Sequence, residues 1–488
     1  MRNVVLVRYG EIAVKSWRIR KQLEKLLVRN ILQGLKLENL EDIVDLRLEE
    51  GRILIYVNDM SKIENILKIL SRIFGIKSIS PAIEIEFRNL DDIVKICENY
   101  WKDTVRDRTF AIRCRRVGKH EFTSKDVEKV VGEALRKYAK RVDLENPEIE
   151  IFIEIRNNRA YIYDKIIEGP GGLPLGSEGK ALALVSGGFD SPVAAWLVMK
   201  RGVIVDFLTV SLAGELDLLP ALKVILKLCK DWCIGYRPKI YIVHAEDLVN
   251  EIRKKVKIEL WNVVYKRCLY YIADYICRNY RSYRAIVTGD VIGQVSTQTL
   301  DNLYSTSIGI TTPIIRPLAG FDKDDIIQLS KKIGTYELSI EVSEYCAIFS
   351  EKPKTWTTPE EVDLEFYKVK RCLDNIVRNN IEEVNIEVVE TIIRSIESKV
   401  KDIDIETIDS VDHRAILLDV RPRKDFKLKI SNSNIQVVET NIDEVFKVVE
   451  KYGKEPTYLI YCKSPLVSRY VALKLREQGY NAYSVLRI

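Results

Sequence analysis

Apolar and polar positions along the chain change period several times, and each change marks an element. A short apolar run at Val4 to Val7 reads as a strand, and Ser16 to Gly34 as a capped, charged helix closed by its glycine. Two alternating runs, near Ile43 to Leu48 and Ile53 to Val57, are joined by Glu50-Gly51 as strands of a hairpin would be. A small α+β unit over residues 1–60 is the expected result. From Ser61 the pattern runs helix, strand (Ile83 to Phe87), helix (Leu90 to Tyr100), strand (Phe110 to Arg113), helix (Ser124 to Ala139), then two strands ending near Ile166. That predicts a second α/β module over residues 61–168. The breaker-rich stretch Glu168-Gly169-Pro170-Gly171-Gly172-Leu173-Pro174-Leu175-Gly176 reads as a linker into a third domain.

Beyond the linker, strand-like runs at Ala181 to Val185, Val203 to Val210, Ile240 to Val243 and Ala285 to Thr288 alternate with helical stretches. Such alternation predicts a doubly wound parallel sheet with its ligand at the carboxyl ends of the strands. The charged helical stretch from Asn375 to Ile403 reads as the tail of this domain, residues 169–400, or as a spacer. Ala415 to Val420 restarts a strand pattern, and Leu459 to Tyr461 leads into Cys462 and a helix from about Ser468 to Gln478. A fourth α/β domain over residues 401–488 is expected, which makes the fold class multidomain α/β.

Bulk numbers narrow the function only a little. A chain of 488 residues exceeds one hydrophobic core. With 47% hydrophobic and 30% charged residues it has the balance of a soluble globular protein. No uninterrupted apolar stretch is long enough for a membrane span, and Met1-Arg2-Asn3 leads straight into a strand, the pattern of a chain without a signal peptide. A cytoplasmic location with no membrane partner is the expectation. A net charge of +6 argues only weakly for nucleic acid. Abundant Ile, Lys, Arg and Glu with three Met suit a thermophilic source. Nine cysteines, an odd count without a secretion signal, argue against a disulfide scaffold. Cys97, Cys268, Cys277 and Cys372 read as small core hydrophobes. Cys229 and Cys233 lie one helical turn apart, but no second spaced pair completes a zinc set.

The most chemical segment is Ser186-Gly187-Gly188-Phe189-Asp190-Ser191, set between the apolar run ending at Val185 and Pro192, which opens a helix. Paired glycines let backbone amides approach an anion, Ser186 and Ser191 add hydroxyl donors, and the helix start supplies partial positive charge. Pro192 suits the first turn, where its missing N–H does no harm. Walker A and dinucleotide-fold spacings are both absent. The segment resembles the SGGxDS pyrophosphate loop of the PP-loop ATPases, which cleave ATP between the α and β phosphates and pass AMP to a substrate oxygen. Asp190 inside such an anion nest makes electrostatic sense with a bridging Mg²⁺. The plain alternative is an ordinary glycine turn before a helix.

Four further segments fall in matching order: Arg8-Tyr9-Gly10-Glu11-Ile12-Ala13-Val14-Lys15-Ser16; Phe110-Ala111-Ile112-Arg113-Cys114-Arg115-Arg116 with Lys119-His120; Val287-Thr288-Gly289-Asp290 running on to Gln298-Thr299-Leu300; and the loop at Cys462. Together with SGGFDS they resemble the tRNA 4-thiouridine synthetase (ThiI) family over essentially the whole chain. The resemblance implies a ferredoxin-like domain, a THUMP RNA-binding domain, a PP-loop domain and a rhodanese-like domain. It implies adenylation of the uridine at position 8 of tRNA and replacement of its C4 oxygen by sulfur, with ATP and Mg²⁺ as cofactors. Carried over by position, Leu184 and Val185 would contact the adenosine, Ser186, Gly187, Gly188 and Ser191 the phosphates, and Lys266, Gly289 and Gln298 would complete the nucleotide site. Gly289 ends a strand where a side chain would block the ligand, and Gln298 offers both a donor and an acceptor. Arg267, next to Lys266, leaves open which of the two cations points inward. Lys323 could neutralise pyrophosphate or simply be a solvated lysine at a helix start.

Cys462, at a strand end before a short loop and a helix, could be held as a thiolate or persulfide by loop amides and by Arg469. This resembles the rhodanese loop, as Leu418-Asp419-Val420-Arg421-Pro422 resembles that fold's opening strand. Cys346, in Ser343-Glu344-Tyr345-Cys346, matches the family's second cysteine, which would form a disulfide with Cys462 for a reductant to reopen. Pro465 and Ser343 depart from the family's usual residues. Arg113, Arg115, Arg116, Lys119 and His120, beside Phe122, suit phosphate contact with stacking, and Lys15, Arg18, Arg20 and Lys21 could extend the track. A solvated charged face is the competing reading. The partners implied are tRNA and a cysteine desulfurase as sulfur donor, with a homodimer left open. Two other activities stay in view: amide or amidine formation at the PP-loop, and sulfur carriage toward thiazole synthesis for thiamine.

Overall fold

Alternation at the N-terminus becomes β1 (Arg2–Tyr9), which sends Val5 and Val7 into one core and Val4 and Leu6 into another. The computed structural model describes residues 1–49, 51–212, 214–280, 283–340, 353–408, 411, 414–421, 428, 430, 432–442, 444–462 and 465–488. It divides into two units: residues 1–178 with 199–203 and 231–236, and residues 179–198, 204–230 and 237–488.

In the first unit, β1 is followed by α1 (Trp17–Leu37), β2 (Val44–Glu49), β3 (Arg52–Val57), α2 (Ile63–Leu70) and β4 (Ile76–Glu86). Then come α3 (Leu90–Trp101), β5 (Thr109–Val117), α4 (Ser124–Arg136), β6 (Arg141–Val142), β7 (Ile149–Arg156), β8 (Arg159–Tyr163) and β9 (Ile167–Glu168). These strands make one nine-stranded sheet in the order β2-β3-β1-β4-β8-β7-β5-β6, with β9 beside β4. Ile53, Ile55 and Ile79 join Val5 and Val7 against α1 and α2. Ile85, Ile112, Ile151, Ile153 and Ile162 pack with residues of α3 and α4. Asn89 caps α3, and Thr123 with Asp126 forms a capping box that starts α4.

Three expectations are corrected here. Gly34 does not end its helix, because α1 runs on to Leu37 and Gly34 is buried within it. A Cβ there would lie 2.8 Å from Ile234 and 3.0 Å from Ile69, so this glycine answers to close packing rather than termination. β4 begins well before Ile83 and pairs with β1 along its first part and β8 along its last, so the two N-terminal modules share one sheet. The supposed linker is packed structure: Gly169 and Gly171 donate to carbonyls of Lys77 and Ile76, and Leu173 and Leu175 are buried. Gly172, at φ +73°, is the residue its place demands, since a Cβ would fall 1.9 Å from the Lys200 carbonyl oxygen.

The second unit opens with β10 (Lys180–Leu184), α5 (Asp190–Lys200), β11 (Ile204–Ser211), α6 (Glu215–Trp232), β12 (Ile240–His244), α7 (Glu246–Lys255) and α8 (Trp261–Asn279). It continues with β13 (Ala285–Val287), α9 (Leu300–Ser307), β14 (Ile314–Ile315), α10 (Lys323–Ile333), α11 (Tyr336–Ile340), α12 (Pro359–Asn379), β15 (Ile381–Val384) and α13 (Ile386–Lys401). The sheet order is β14-β13-β10-β11-β12-β15, parallel except at β15, which runs antiparallel to β12. The stretch from Asn375 to Ile403 is therefore the tail of this domain rather than a spacer. It supplies an edge strand and a further helix. Leu182, Leu208 and Tyr241 from the sheet pack with Val264, Cys268 and Ile272 of α8 and Phe366 and Leu373 of α12.

The chain ends in β16 (Asp404–Thr407), β17 (Ala415–Asp419), β18 (Ile435–Glu439), α14 (Val445–Tyr452), β19 (Thr457–Tyr461), α15 (Pro465–Glu477) and β20 (Asn481–Arg487). These five strands form an all-parallel sheet, β16-β20-β19-β17-β18, with apolar clusters on both faces. Among the described residues no helix is long and apolar enough to cross a membrane.

Candidate functional site

β10 delivers the glycine loop to the carboxyl edge of the six-stranded sheet, and α5 starts at Asp190. The Val185 amide still donates to the Leu208 carbonyl at 2.8 Å, which holds the strand end while Ser186 turns out to solvent. The Ser186 amide donates to Ser191 Oγ at 3.0 Å, and the two hydroxyl oxygens lie 3.2 Å apart. This clasp closes the loop over Gly187 and Gly188. Asp190 is held from two directions: Lys323 Nζ, on the first residue of α10, donates to Oδ1 at 2.7 Å, and Gln294 Nε2 donates to Oδ2 at 2.9 Å. Lys323 Nζ also stands 5.4 Å from the Phe189 ring centroid.

Gly289 reaches this loop just beyond β13. A Cβ on it would lie 2.7 Å from the Ser191 amide nitrogen and 2.8 Å from the Asp190 carbonyl carbon. The missing side chain makes room for the first turn of α5.

One residue on, Asp290 is the hub of a buried network that motif reading had passed over. Lys266 of α8 pairs with its Oδ1, Tyr270 donates to Oδ2 at 2.5 Å, Thr288 at 2.7 Å and Arg316 Nε at 3.3 Å. Burial pushes this carboxyl up, but the Lys266 ammonium and the surrounding donors outweigh it and hold the group at about 2. Gln298 Nε2 sits 3.5 Å from Asp290 Oδ1, while its buried Oε1 makes no hydrogen bond among the described residues. The two adjacent cations reach different partners. Lys266 turns to Asp290, whereas Arg267 donates to the Ser305 carbonyl, pairs with Asp363 and covers Phe366. Their place at or beyond the ends of β13 and β14 was the signal that could have drawn attention to Thr288, Asp290 and Arg316.

Cys462 follows β19 at the carboxyl edge of the C-terminal sheet and is 6% exposed, within the core that includes Val420, Ile460 and Val471. Arg469 is not its anion partner. The guanidinium is committed to Asp404 of β16, with Nε–Oδ1 at 3.0 Å and Nη2–Oδ2 at 2.7 Å. Arg421 and Asp419 form a second, fully buried bidentate pair at 2.8 and 2.7 Å. Burial holds the Tyr470 phenol of α15 above its ordinary range against the nearby Lys474 ammonium, and the Glu477, Asp217 and Glu246 carboxylates add to this. Cys346 lies outside the described residues. Cys233 Sγ is 3.8 Å from Met199 Sδ, and among the described residues no group of three His, Cys, Asp or Glu side chains could hold a metal.

The basic cluster on β5 separates into two kinds. Arg113 is used internally, donating to Glu150 at 2.9 Å and to the Leu144 carbonyl at 2.7 Å. Arg116 donates to His120 Nδ1 at 3.0 Å, which makes His120 Nε2 the protonated nitrogen that donates to the Asn157 carbonyl at 2.6 Å. The His120 ring packs on Phe122 at 5.2 Å. Arg115 and Lys119 remain exposed. Lys129, Arg136, Lys140 and Arg141 line a groove with Arg113 and add cations that lay scattered in the sequence. Nearer the N-terminus Lys15 and Arg18 are exposed, while Arg20 and Lys21 pair with the buried Glu24.

Three family models match in chain order: the ThiI ferredoxin-like domain at residues 4–80, the THUMP domain at 87–164, and the thiamine biosynthesis protein (ThiI) at 176–370. A tRNA sulfurtransferase of Pyrobaculum aerophilum is 41% identical over 487 residues, covering 99% of this chain and 97% of that one. A tRNA sulfurtransferase of Thermoplasma acidophilum is 35% identical over 485 residues, covering 99% and 94%. The crystal structure of a 4-thiouridine synthetase–RNA complex with bound ATP is similar at a TM-score of 0.67 and 29% identity, covering 79% of this chain and all of that one.

Proposed function

The chain belongs to the ThiI family of tRNA sulfurtransferases, and on that premise we propose that it uses ATP to convert the uridine at position 8 of tRNA to 4-thiouridine. The observation that carries the reading is the clasped glycine loop ahead of α5, with Lys323 and Gln294 converging on Asp190. Amides of this loop and the start of α5 bind the phosphates. Lys323 moves from Asp190 to the departing pyrophosphate, and the Asp290 hub fixes Lys266 and Arg316 beside it.

Mg²⁺ fits this loop, since the ion takes one or two carboxylates and completes its shell with phosphate oxygens and water. Asp190 would be its protein ligand, and the ion would neutralise charge on the phosphates. The uracil C4 oxygen attacks the α phosphate, pyrophosphate leaves, and the O4 adenylate becomes a good leaving group. The terminal sulfur of a Cys462 persulfide then attacks C4 and AMP departs. Cys346 thiolate attacks Cys462 Sγ, the S–S bond breaks toward the RNA, and 4-thiouridine is released with a Cys346–Cys462 disulfide. A dithiol reductant supplies two electrons to reopen it. Cys462 would load its sulfur from a cysteine desulfurase. The parallel sheet that positions Cys462 at a strand end supports a rhodanese-like role for residues 401–488.

Unmodified tRNA incubated with the protein, ATP, Mg²⁺ and a persulfide donor should yield 4-thiouridine and AMP together; absence of both would overturn the reading. The name of the matched family favours a second duty, sulfur relay for thiamine. That duty predicts that sulfur reaches a thiazole precursor from Cys462 without ATP cleavage by this chain.

A further inference from the structure

Phe189 occupies the one position of the glycine loop whose side chain the phosphate cradle does not use. Its ring is half-buried and packs on Tyr336, at the start of α11, with centroids 5.6 Å apart and planes tilted by 34°. Lysines flank the pair on each side: Lys323 Nζ is 5.4 Å from the Phe189 centroid, and Lys331 Nζ is 4.9 Å from that of Tyr336. The Tyr336 hydroxyl makes no hydrogen bond among the described residues, so the ring is not placed there to satisfy a polar core.

Two partly exposed rings between ammonium groups, adjoining a phosphate loop, combine the features by which proteins hold splayed nucleotides: a stacking face for the base and cations for the phosphates around it. A base undergoing chemistry must leave its stack, and an aromatic face at the reaction site compensates for what it loses. Resting on the functional reading above, we propose that Phe189 and Tyr336 form the stacking platform for the target uracil. Lys323 and Lys331 serve the charge on either side of it. Phe189 and Tyr336 would thus be positioning residues, acting on where C4 oxygen lies relative to the α phosphate.

Two measurements on the full-length protein test this. Phe189→Leu and Tyr336→Leu each keep apolar bulk but remove the ring, and should lower kcat/KM for tRNA by about 5- to 150-fold, the range for losing one base–aromatic stack. ATP affinity without tRNA should stay within about twofold, because the cradle is made of amides and hydroxyls. Tyr336→Phe should recover most of what Tyr336→Leu loses. Leucine variants with wild-type kcat/KM, or with ATP affinity reduced as much as turnover, would overturn the platform and leave the rings as loop packing. The second measurement needs no turnover: tRNA already carrying 4-thiouridine at the target is photo-crosslinked to the protein under long-wave ultraviolet light. Crosslinks to peptides containing Phe189 or Tyr336 support the platform, and crosslinks confined to other peptides refute it. If the wild type makes no 4-thiouridine, the functional reading fails, and the crosslink still decides whether the platform holds a base.

Discussion

Replacing Gly289 with alanine tests how the nucleotide loop is positioned. The added methyl would begin 2.7 Å from the Ser191 amide nitrogen, 2.8 Å from the Asp190 carbonyl carbon and 2.9 Å from Ser191 Cα, all backbone atoms that no side-chain rotation can move aside. Ordinary contact starts at 3.4 Å, so the first turn of α5 must retreat from β13 by about 0.7 Å. An amide that meets a phosphate oxygen at ~2.9 Å would then stand near ~3.6 Å, past useful bonding distance. Losing one bond to a charged group costs about 1.5–3 kcal/mol, roughly a 10- to 150-fold weaker ATP Kd. Overpacking should also lower stability by about 1–3 kcal/mol. Isothermal titration with ATP reads the first effect and chemical unfolding the second. Gly320→Ala is the control, since apart from its chain neighbours no described residue lies within 4 Å of its added Cβ. Gly289→Ala with ATP affinity within twofold of wild type would refute the close-approach argument.

Other outcomes follow from the remaining geometry. Asp290→Asn leaves Lys266 and Arg316 without their counter-charge and should cost roughly 2–4 kcal/mol in urea unfolding at neutral pH. The native carboxyl sits at about 2, well below an unfolded value of ~3.9. Its contribution is complete above that unfolded value and disappears as pH falls through the folded one. Wild-type stability should therefore drop between about pH 4 and 2, with a flatter profile in Asp290→Asn. Cys462→Ala should abolish 4-thiouridine formation while tRNA-dependent pyrophosphate release persists, and Cys346→Ala should stop after at most a limited first turnover. Arg115→Ala and Lys119→Ala should each weaken tRNA binding and reduce the salt slope by about 1, whereas Arg113→Ala should act mainly by loosening β5 against β7.

The glycine loop was legible in the sequence because all its parts lie within one strand–turn–helix passage, from Val185 to Pro192. The Asp290 hub was not. Thr288 lies two residues before Asp290, but Lys266 and Tyr270, one turn apart on α8, and Arg316 each lie 20 or more residues from it, and only the order β14-β13-β10 with α8 packed beneath gathers them. β15 escaped because Ile-Glu-Glu-Val is short and polar, as an edge strand exposed to water can afford to be. Gly34 misled because a glycine can mark a helix end or a crowded crossing, and only the neighbours tell which. Arg469 misled in the opposite way: nearness to Cys462 in sequence suggested an anion partner, but Asp404, brought alongside by the pairing of β16 with β20, claims it. The strands at Val4, Ile240, Ala285 and Ala415 were readable because strong apolar runs leave little choice of element.

β4 has a mechanical consequence. At eleven residues it extends roughly 35 Å, and Ile83 and Glu84 are paired on both flanks at once, to Asn3 and Arg2 on one side and to Ile162 and Tyr161 on the other. No flexible joint separates the portion matching the ferredoxin-like family from the portion matching THUMP. A molecule gripping both would meet a caliper with fixed jaws and would be selected by its length as much as by its chemistry.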